Sequence, residues 1–344
     1  MLHRNAAAAL LALGTLAACA APDAIAPRAD APALASSGGT VTINTLDPQD
    51  DGTNPDLARI TRIAERLNAR LEKGNSRYRL DEVSFFLVGR GTDGYRRLRT
   101  GARWNDPSVT YMVDESDVIA TGPYRSTSVS TAATMAQIQY GYEVWNGLET
   151  KFNLTRVPDV GGNIDILDGI IREKGGACVD VVDLRSPVVN AYDAKTGSID
   201  FSPVANNVFG GWLAPEYFAD CLGSANIIGV TWSFSDVDSD GDQYRDRLYT
   251  EMYYNTRFQW VTSGSPFLSS IMDVATIVSH EAGHAHGLGH FGGPNALEPF
   301  KLQPNGTVFD PEAVMNPFYI GGTKRDPLPS DVAALTTLYQ QNNQ

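Results

Sequence analysis

Four of the five histidines of this 344-residue chain lie within eleven residues, in the segment HEAGHAHGLGH that runs from His280 to His290. On an α-helix, residues four positions apart lie one turn apart on the same face, so His280 and His284 are predicted to point at one position. Gly287 can adopt a positive φ and end the helix, which would bring His290 back toward that position. The segment therefore predicts a helix, a sharp turn and three imidazoles that meet at one point.

Three imidazoles that meet at one point are typical of a zinc site. Three protein ligands leave the fourth tetrahedral position for water, which is the pattern of a catalytic rather than a structural zinc. Glu281 follows the first ligand, where it can reach that water as a general base without binding the metal. A lone HExxH match also occurs on ordinary surface helices, but five fixed positions arise by chance only about once in ten thousand chains of this length. His286 would face away from the zinc and is predicted to be packed or solvated.

The same residues resemble the signature of the metzincin metallopeptidases, HExxHxxGxxH followed by a methionine turn. Met315 lies in the segment AVMNP, 25 residues after His290, and Pro317 after it resembles the matrixin branch. Three features depart from matrixins. Phe291 follows the third ligand where serine is typical, the cysteine of a cysteine-switch pro-peptide is absent, and so are the histidines of a structural zinc site. The subfamily therefore stays open.

The resemblance covers residues 103–339 and implies both a fold and an activity. The implied fold is α+β: a metzincin-like domain with a twisted mixed β-sheet packed on long helices and the zinc in a cleft. The implied activity is that of a monomeric zinc metalloendopeptidase, whose protein or peptide substrate lies extended against an edge strand at 248–260. The alternative is a non-catalytic adhesion or binding module that keeps zinc for structure. Glu281 argues against this alternative, because a structural site needs no base.

The N-terminus has the pattern of an export signal. Arg4 precedes an Ala/Leu-rich run over 6–18 that is too short to cross a membrane. The run ends in Leu-Ala-Ala-Cys at Cys19, which resembles the bacterial lipobox, although cleavage after Ala20 also fits. We predict a signal peptide over 1–19 and an exported protein, either a cell-envelope lipoprotein or a secreted one. Its only membrane contact would be the lipid anchor.

The two cysteines that remain, Cys178 and Cys221, are predicted to form one disulfide bond, as is common in exported proteins. Residues 20–53 are rich in Ala, Pro, Ser and Gly and predict a flexible tether. Residues 54–100 predict a small helix–strand subdomain or a pro-region, with a helix capped by Asn54 and a strand over 78–88. Residues 101–344 would form the zinc peptidase domain. Within them we predict helices around 135–145, 271–286 and 330–339, and strands at 109–113, 163–167, 227–234 and 248–260.

An acidic segment after the 227–234 strand predicts a calcium loop. Its carboxylates are Asp236, Asp238, Asp240, Asp242 and Asp246. Their alternation, with Gly241 at the sixth position, resembles an EF-hand loop, but position twelve is Arg247 and Asp246 would have to serve instead. Crowded carboxylates repel one another without a cation, which favours calcium over the alternative of an acidic surface turn. The net charge of −13 excludes nucleic acid as a partner.

Overall fold

The computed structural model describes residues 42–44, 57–73, 76, 78–88, 101–113, 131–148, 153–158, 171–173, 178–180, 192–193, 198–199, 205–213, 215, 217–264, 266, 270–294 and 309–340. The predicted signal peptide, Cys19 and the predicted 163–167 strand lie outside these residues. Within them the chain forms a mixed α and β fold with few helices, built on one large mixed sheet. None of the helices in these ranges is long and apolar enough to cross a membrane.

The described ranges contain four α-helices and seventeen strands. The helices are α1 (Leu57–Lys73), α2 (Thr131–Glu143), α3 (Val274–Ala285) and α4 (Pro329–Gln340). The strands are β1 (Thr42–Asn44), β2 (Arg79–Val88), β3 (Ala102–Arg103), β4 (Ser108–Val113), β5 (Asn153–Arg156), β6 (Ile171–Glu173), β7 (Cys178–Asp180), β8 (Tyr192–Asp193), β9 (Ser198–Ile199), β10 (Asn207–Leu213), β11 (Ile227–Ser235), β12 (Arg245–Asn255), β13 (Gln259–Val261), β14 (Ile271–Asp273), β15 (Gly293–Pro294), β16 (Phe309–Asp310) and β17 (Phe318–Tyr319).

The large sheet has nine strands in the order β1-β2-β11-β12-β10-β4-β5, with β17 beside β2 and β3 beside β12. Strands β12, β10, β4 and β5 run parallel to one another. Strand β11 is antiparallel to both of its neighbours, β12 and β2. Strands β1 and β17 run parallel to β2 along its other edge. The remaining short strands form four two-stranded sheets among the described residues.

Strand β12 is an inner strand, so the prediction of a substrate-binding edge at 248–260 is wrong. It pairs with β10 over its C-terminal half and with β11 along most of its length. It also ends at Asn255, and residues 259–261 belong to the separate strand β13. Its run of residues from Tyr249 to Asn255 is buried throughout, as expected of a strand that is covered on both faces and both edges.

The sheet is covered on both faces. On one face α2 and α3 pack against it, and they cross so closely that a Cβ on Gly141 would lie 2.7 Å from the Cβ of Val278. On the other face lies α1, whose apolar stripe includes Ile60, Leu67 and Leu71 as the helical spacing predicted. Strand β2 thus belongs to the same sheet as strands from the residues after 101. The core beneath α1 is likewise built from α1, β2 and residues after 101.

Successive residues of β2 point to opposite faces of the sheet. Phe85 belongs to the core beneath α1, whereas Phe86 belongs to the core that contains α2 and α3. This alternation follows from the period of two in side-chain direction along a strand. One strand therefore contributes aromatic rings to both cores, and Phe86 lies on the side of the histidine helix.

Cys221 ends a short π-helical turn that begins at Tyr217, and it is disulfide-bonded. Strand β7, which begins at Cys178, contacts this turn. The proximity agrees with a bond between Cys178 and Cys221, but the pairing itself stays a prediction.

Candidate metal centre

The metal centre predicted from the sequence is carried by α3, which starts from a side-chain cap. Asp273 has an extended backbone and accepts hydrogen bonds from the backbone N–H and the hydroxyl of Thr276. Arg325 pairs with the same carboxylate at 2.6 Å, which holds the cap in place. Beyond the last turn, Gly287 has a φ of 92°, the left-handed conformation that the sequence predicted for the helix end.

The structure brings the three predicted metal ligands together. The Nε2 atom of His280 lies 3.2 Å from that of His284, and the Nε2 atom of His290 lies 3.0 Å from each of them. All three side chains are buried. His286 is buried as well, but its Nδ1 lies 2.8 Å from the carbonyl of Ala282 on its own helix and its ring packs near Trp145. His286 is therefore a packed residue outside the metal centre.

The hydrogen bonds of two of the histidine rings leave their Nε2 atoms free to bind a metal ion. A carbonyl oxygen can only accept, so the Nδ1 of His280, 2.7 Å from the carbonyl of Val314, must carry a proton. The same holds for the Nδ1 of His284, 2.8 Å from the carbonyl of Leu288. The Nε2 atoms then present lone pairs to the shared point, which is the arrangement in metal-binding histidines. Without a cation these lone pairs would repel one another.

Burial keeps the imidazoles neutral. It lowers the pKa of His284 to about 3. The pKa values of His280 and His290 are also held well below the usual value, first by burial and then by the charge that a neighbouring histidine would carry. The neutral ring is the form that binds a metal. This group of three histidines could therefore hold an ion at neutral pH.

Glu281 lies beside the three histidines and points at strand β11. Its Oε2 accepts a hydrogen bond from the hydroxyl of Thr231. Its Oε1 lies so close to Gly229 that a Cβ on that glycine would be 2.4 Å away. Within the described chain, Oε1 has no hydrogen-bond partner. Burial raises the pKa of Glu281 to about 8, so in the metal-free site this group is a stronger base than a solvated glutamate.

The predicted methionine turn packs against α3 beside the three histidines. A Cβ on Gly283 would lie 2.2 Å from the sulfur of Met315, so the helix approaches the turn as closely as a glycine permits. The Asp331 carboxylate of α4 accepts the backbone N–H groups of Val314 and Met315, at 2.8 and 3.1 Å. Pro317 is buried just after this turn and leads into β17. Sequence analysis did not identify Asp331, although an aspartate in the first turn of a helix is a common capping residue.

Three side chains from distant parts of the chain cap the C-terminal end of α3. Arg247 donates to the carbonyls of His284 and Ala285. The indole of Trp104 also donates to the carbonyl of Ala285, at 2.7 Å. The hydroxyl of Tyr339 donates to the carbonyl of His286 at 2.8 Å. These donors satisfy carbonyls that a helix end otherwise leaves without partners, and they fix the turn that carries His290.

The five aspartates of the predicted calcium loop separate into two groups. Carboxylate oxygens of Asp238, Asp240 and Asp246 lie within 4.8 Å of one another and could hold a metal ion. Asp242 instead forms a buried ion pair with Arg103. Asp236 is also buried, and its Oδ1 accepts the N–H of Val237. The alternating aspartates of the sequence predicted five calcium ligands. The fold brings only three of these carboxylates together.

The loop between these aspartates is shaped by its own backbone. The carboxylate of Asp238 accepts the N–H groups of Gly241, Asp242 and Gln243. Gly241 has a φ of 78°, which agrees with the prediction of a glycine-dependent turn at that position. Burial, followed by the charges of neighbouring aspartates, raises the pKa of Asp240. The cluster thus has the electrostatic crowding that a cation would relieve.

The ring of Phe86 packs against the candidate metal centre. It stacks on the imidazole of His280, with ring centroids 3.7 Å apart and planes inclined by 8°. The ring of Tyr319 packs edge-on against that of Phe86, with ring centroids 6.2 Å apart. Phe86 belongs to β2, in the region that the sequence left open between a subdomain and a pro-region. Sequence analysis gave no signal for this contact, because it joins residues almost two hundred positions apart.

No model of a known protein family matches this chain, and no curated protein matches it in a sequence search.

Proposed function

We propose that the protein is an exported zinc metalloendopeptidase with a metzincin-like catalytic domain. The single observation that carries the proposal is a buried carboxylate, Glu281, next to three converging imidazoles. Binding of a metal needs only the imidazoles. The carboxylate has one oxygen held by Thr231 and one left over, which suits a proton acceptor better than a structural role.

Each side chain has a defined part in the proposed reaction. His280, His284 and His290 would hold zinc, which supplies a Lewis acid for the peptide carbonyl and for the attacking water. Glu281 would take the proton of that water at Oε1 and pass it to the leaving amine. Thr231 orients the carboxylate through Oε2. The methionine turn and the capped end of α3 hold the ligands in position.

Replacement of the base tests this assignment. Glu281→Gln keeps the size of the side chain and all three ligands, so zinc content should remain that of the unmodified protein. With the metal centre made accessible in both proteins, hydrolysis of an unstructured protein such as casein should fall by a factor of about 10² to 10⁴, the usual contribution of a general base. His284→Ala is the matched control and should lose both zinc and activity.

A variant Glu281→Gln that cleaves casein as fast as an active, accessible form of the unmodified protein would contradict the mechanism. A protein that binds one zinc yet cleaves no peptide under any condition, even with the centre made accessible, would favour the non-catalytic binding module instead. Zinc is measured by elemental analysis, and activity by the release of soluble peptides with and without a chelator.

Two further properties belong to the same proposal. Calcium at Asp238, Asp240 and Asp246 would stabilise the loop that leads into β12. Export, with or without lipidation at Cys19, would place the peptidase outside the cytoplasm. There it would act on protein or peptide substrates.

A further inference from the structure

Strand β2 packs directly against the candidate metal centre. The three predicted ligands and Glu281 are each at most 1% exposed. The ring stacked on His280 belongs to Phe86 of β2. The N-terminal segment that includes β2 contributes no ligand to this centre.

The pairing of β2 is that of an extended peptide held in a groove. On one edge, Phe86 pairs with Gly229 of β11 in an antiparallel ladder. On the other edge, Leu87 and Val88 pair in parallel with β17, just beyond the methionine turn. With two strand spacings of roughly 4.8 Å each, the facing edges of β11 and β17 are separated by the width of one extended chain.

The strand register places Phe86 next to the part of the groove that adjoins Glu281. Gly229, its partner across the ladder, is the residue against which Oε1 of Glu281 lies. Paired residues in a sheet project to the same face, so the Phe86 ring and the base lie on one side of the sheet. The backbone around Phe86 therefore runs beside Glu281 and His280, which belong to the base and the metal site of the proposed reaction.

We infer that β2 is an intramolecular occupant of the substrate groove and that Phe86 is the plug that closes the metal centre. The groove between β11 and β17 would accept an extended peptide in the orientation that β2 has now, with a large apolar side chain at the position of Phe86. This inference rests on the proposed function. It adds that the intact chain is self-inhibited until β2 leaves or its plug is removed.

The test compares two phenylalanines that are neighbours on the same strand. Phe86→Ala removes the ring over His280. Phe85→Ala removes an identical ring that faces the core under α1, on the opposite side of the sheet. Both variants lose a buried aromatic side chain, so both should lower the melting temperature. Only Phe86→Ala should open the metal centre.

Two measurements are made on the zinc-loaded full chain. The first is the rate at which the small chelator dipicolinate removes zinc from the folded protein. The second is the rate of hydrolysis of a fluorogenic peptide. Phe86→Ala should raise both rates at least about tenfold, because it removes the ring that stacks on His280, whereas the matched loss of a buried ring in Phe85→Ala leaves that ring in place. Phe85→Ala should change both by less than about twofold at a temperature well below its melting transition.

The outcomes separate this inference from the proposed function. Faster zinc removal without peptide hydrolysis in Phe86→Ala would support the plug and count against the peptidase. Equal effects of Phe85→Ala and Phe86→Ala, or no effect of Phe86→Ala, would overturn the plug. Glu281→Gln in the Phe86→Ala background should keep fast zinc removal and lose hydrolysis. If Phe86→Ala does not fold, Phe86→Leu keeps an apolar side chain without the stacked ring and should give an intermediate increase.

Discussion

At the scale of single residues, the position of the Glu281 carboxylate, our proposed base, depends on a glycine. Gly229 lies in β11, which is paired on both edges, so its backbone has little freedom to move. A Cβ at this position would lie 2.4 Å from Oε1 of Glu281 and 2.9 Å from its carboxyl carbon. The carboxylate, rather than the strand, would have to move. Glu281 thus accepts a hydrogen bond from Thr231 at Oε2, and its Oε1 occupies the space that a side chain at position 229 would fill.

Gly229→Ala is therefore expected to displace the base without affecting the ligands. In the Phe86→Ala background, in which the groove is open, peptide hydrolysis should fall about a hundredfold, within the range attributed to a general base. Zinc content should not change. Gly211→Ala is the control, since it introduces the same methyl group in β10, where its nearest neighbour is the ring of Phe209 at 3.2 Å. Loss of zinc in Gly229→Ala would show that the glycine supports the ligands instead.

The residue scale also shows where sequence reasoning succeeds. The positions of His280, His284, His290 and Gly287 follow from helix geometry and from the conformational freedom of glycine, and the structure has them as predicted. Thr231 and Gly229 could not be found in this way. They reach Glu281 across fifty residues or more, and within their own strand they are ordinary residues.

At the scale of elements, α3 is stabilised at its C-terminal end by a buried arginine. Arg247 of β12 donates to two carbonyls of the last turn of α3 and pairs with Glu82 of β2 at 2.7 Å. Neither side chain of the pair is more than 1% exposed. The pair thus links the helix that carries the ligands to two strands of the sheet, including the strand that covers the metal centre.

Arg247→Met should destabilise the protein by about 3–5 kcal/mol, because it leaves the Glu82 carboxylate buried without its cation. The loss is measured as the change in the free energy of unfolding in urea. Arg245→Met is the control, since that neighbouring side chain is only partly buried and donates to backbone carbonyls. Glu82→Leu combined with Arg247→Met should recover part of the loss. A double variant no more stable than Arg247→Met alone would mean that the helix cap, and not the ion pair, dominates.

Element types were easier to predict than element neighbours. The apolar spacing of α1 and the aromatic, β-branched composition of β2 and β11 are local properties, and these elements form close to the predicted positions. The edge strand was wrong because edges are a property of the whole sheet. The segment after Leu248 has the same apolar composition whether one or two strands lie beside it, and here β10 and β11 occupy both of its edges.

At the scale of the whole molecule, the large sheet combines residues from both ends of the described chain. Strand β2 lies between β11 and β17, and α4 holds the methionine turn through Asp331. Loss of any one of these elements would expose an apolar core on at least one face. The N-terminal strand is therefore both a structural part of the sheet and, in our inference, the occupant of the groove. The two roles are compatible if activation replaces β2 by another extended chain.

Cation binding at the acidic loop is expected to change the stability of the whole folded chain. Asp238 and Asp240 lie in the loop before β12, the strand at the centre of the sheet, and they cluster with Asp246 at the start of that strand. A cation bound there only in the folded state would stabilise the protein by an amount that grows with its free concentration, about 2.7 kcal/mol at one hundred times Kd. Because calcium tolerates irregular sets of oxygen ligands and magnesium demands near-octahedral geometry, calcium should act more strongly.

We therefore expect millimolar calcium to raise the melting temperature of the full chain, and magnesium to raise it less. Asp238→Ala with Asp240→Ala should abolish this response while zinc content is retained, because the histidines lie in a separate group. Asp106→Ala with Asp326→Ala is the control. It removes two carboxylates from outside the loop, so the response to calcium should persist whatever the change in baseline stability. If the unmodified protein melts at the same temperature with and without calcium, the segment is an acidic turn that binds no calcium.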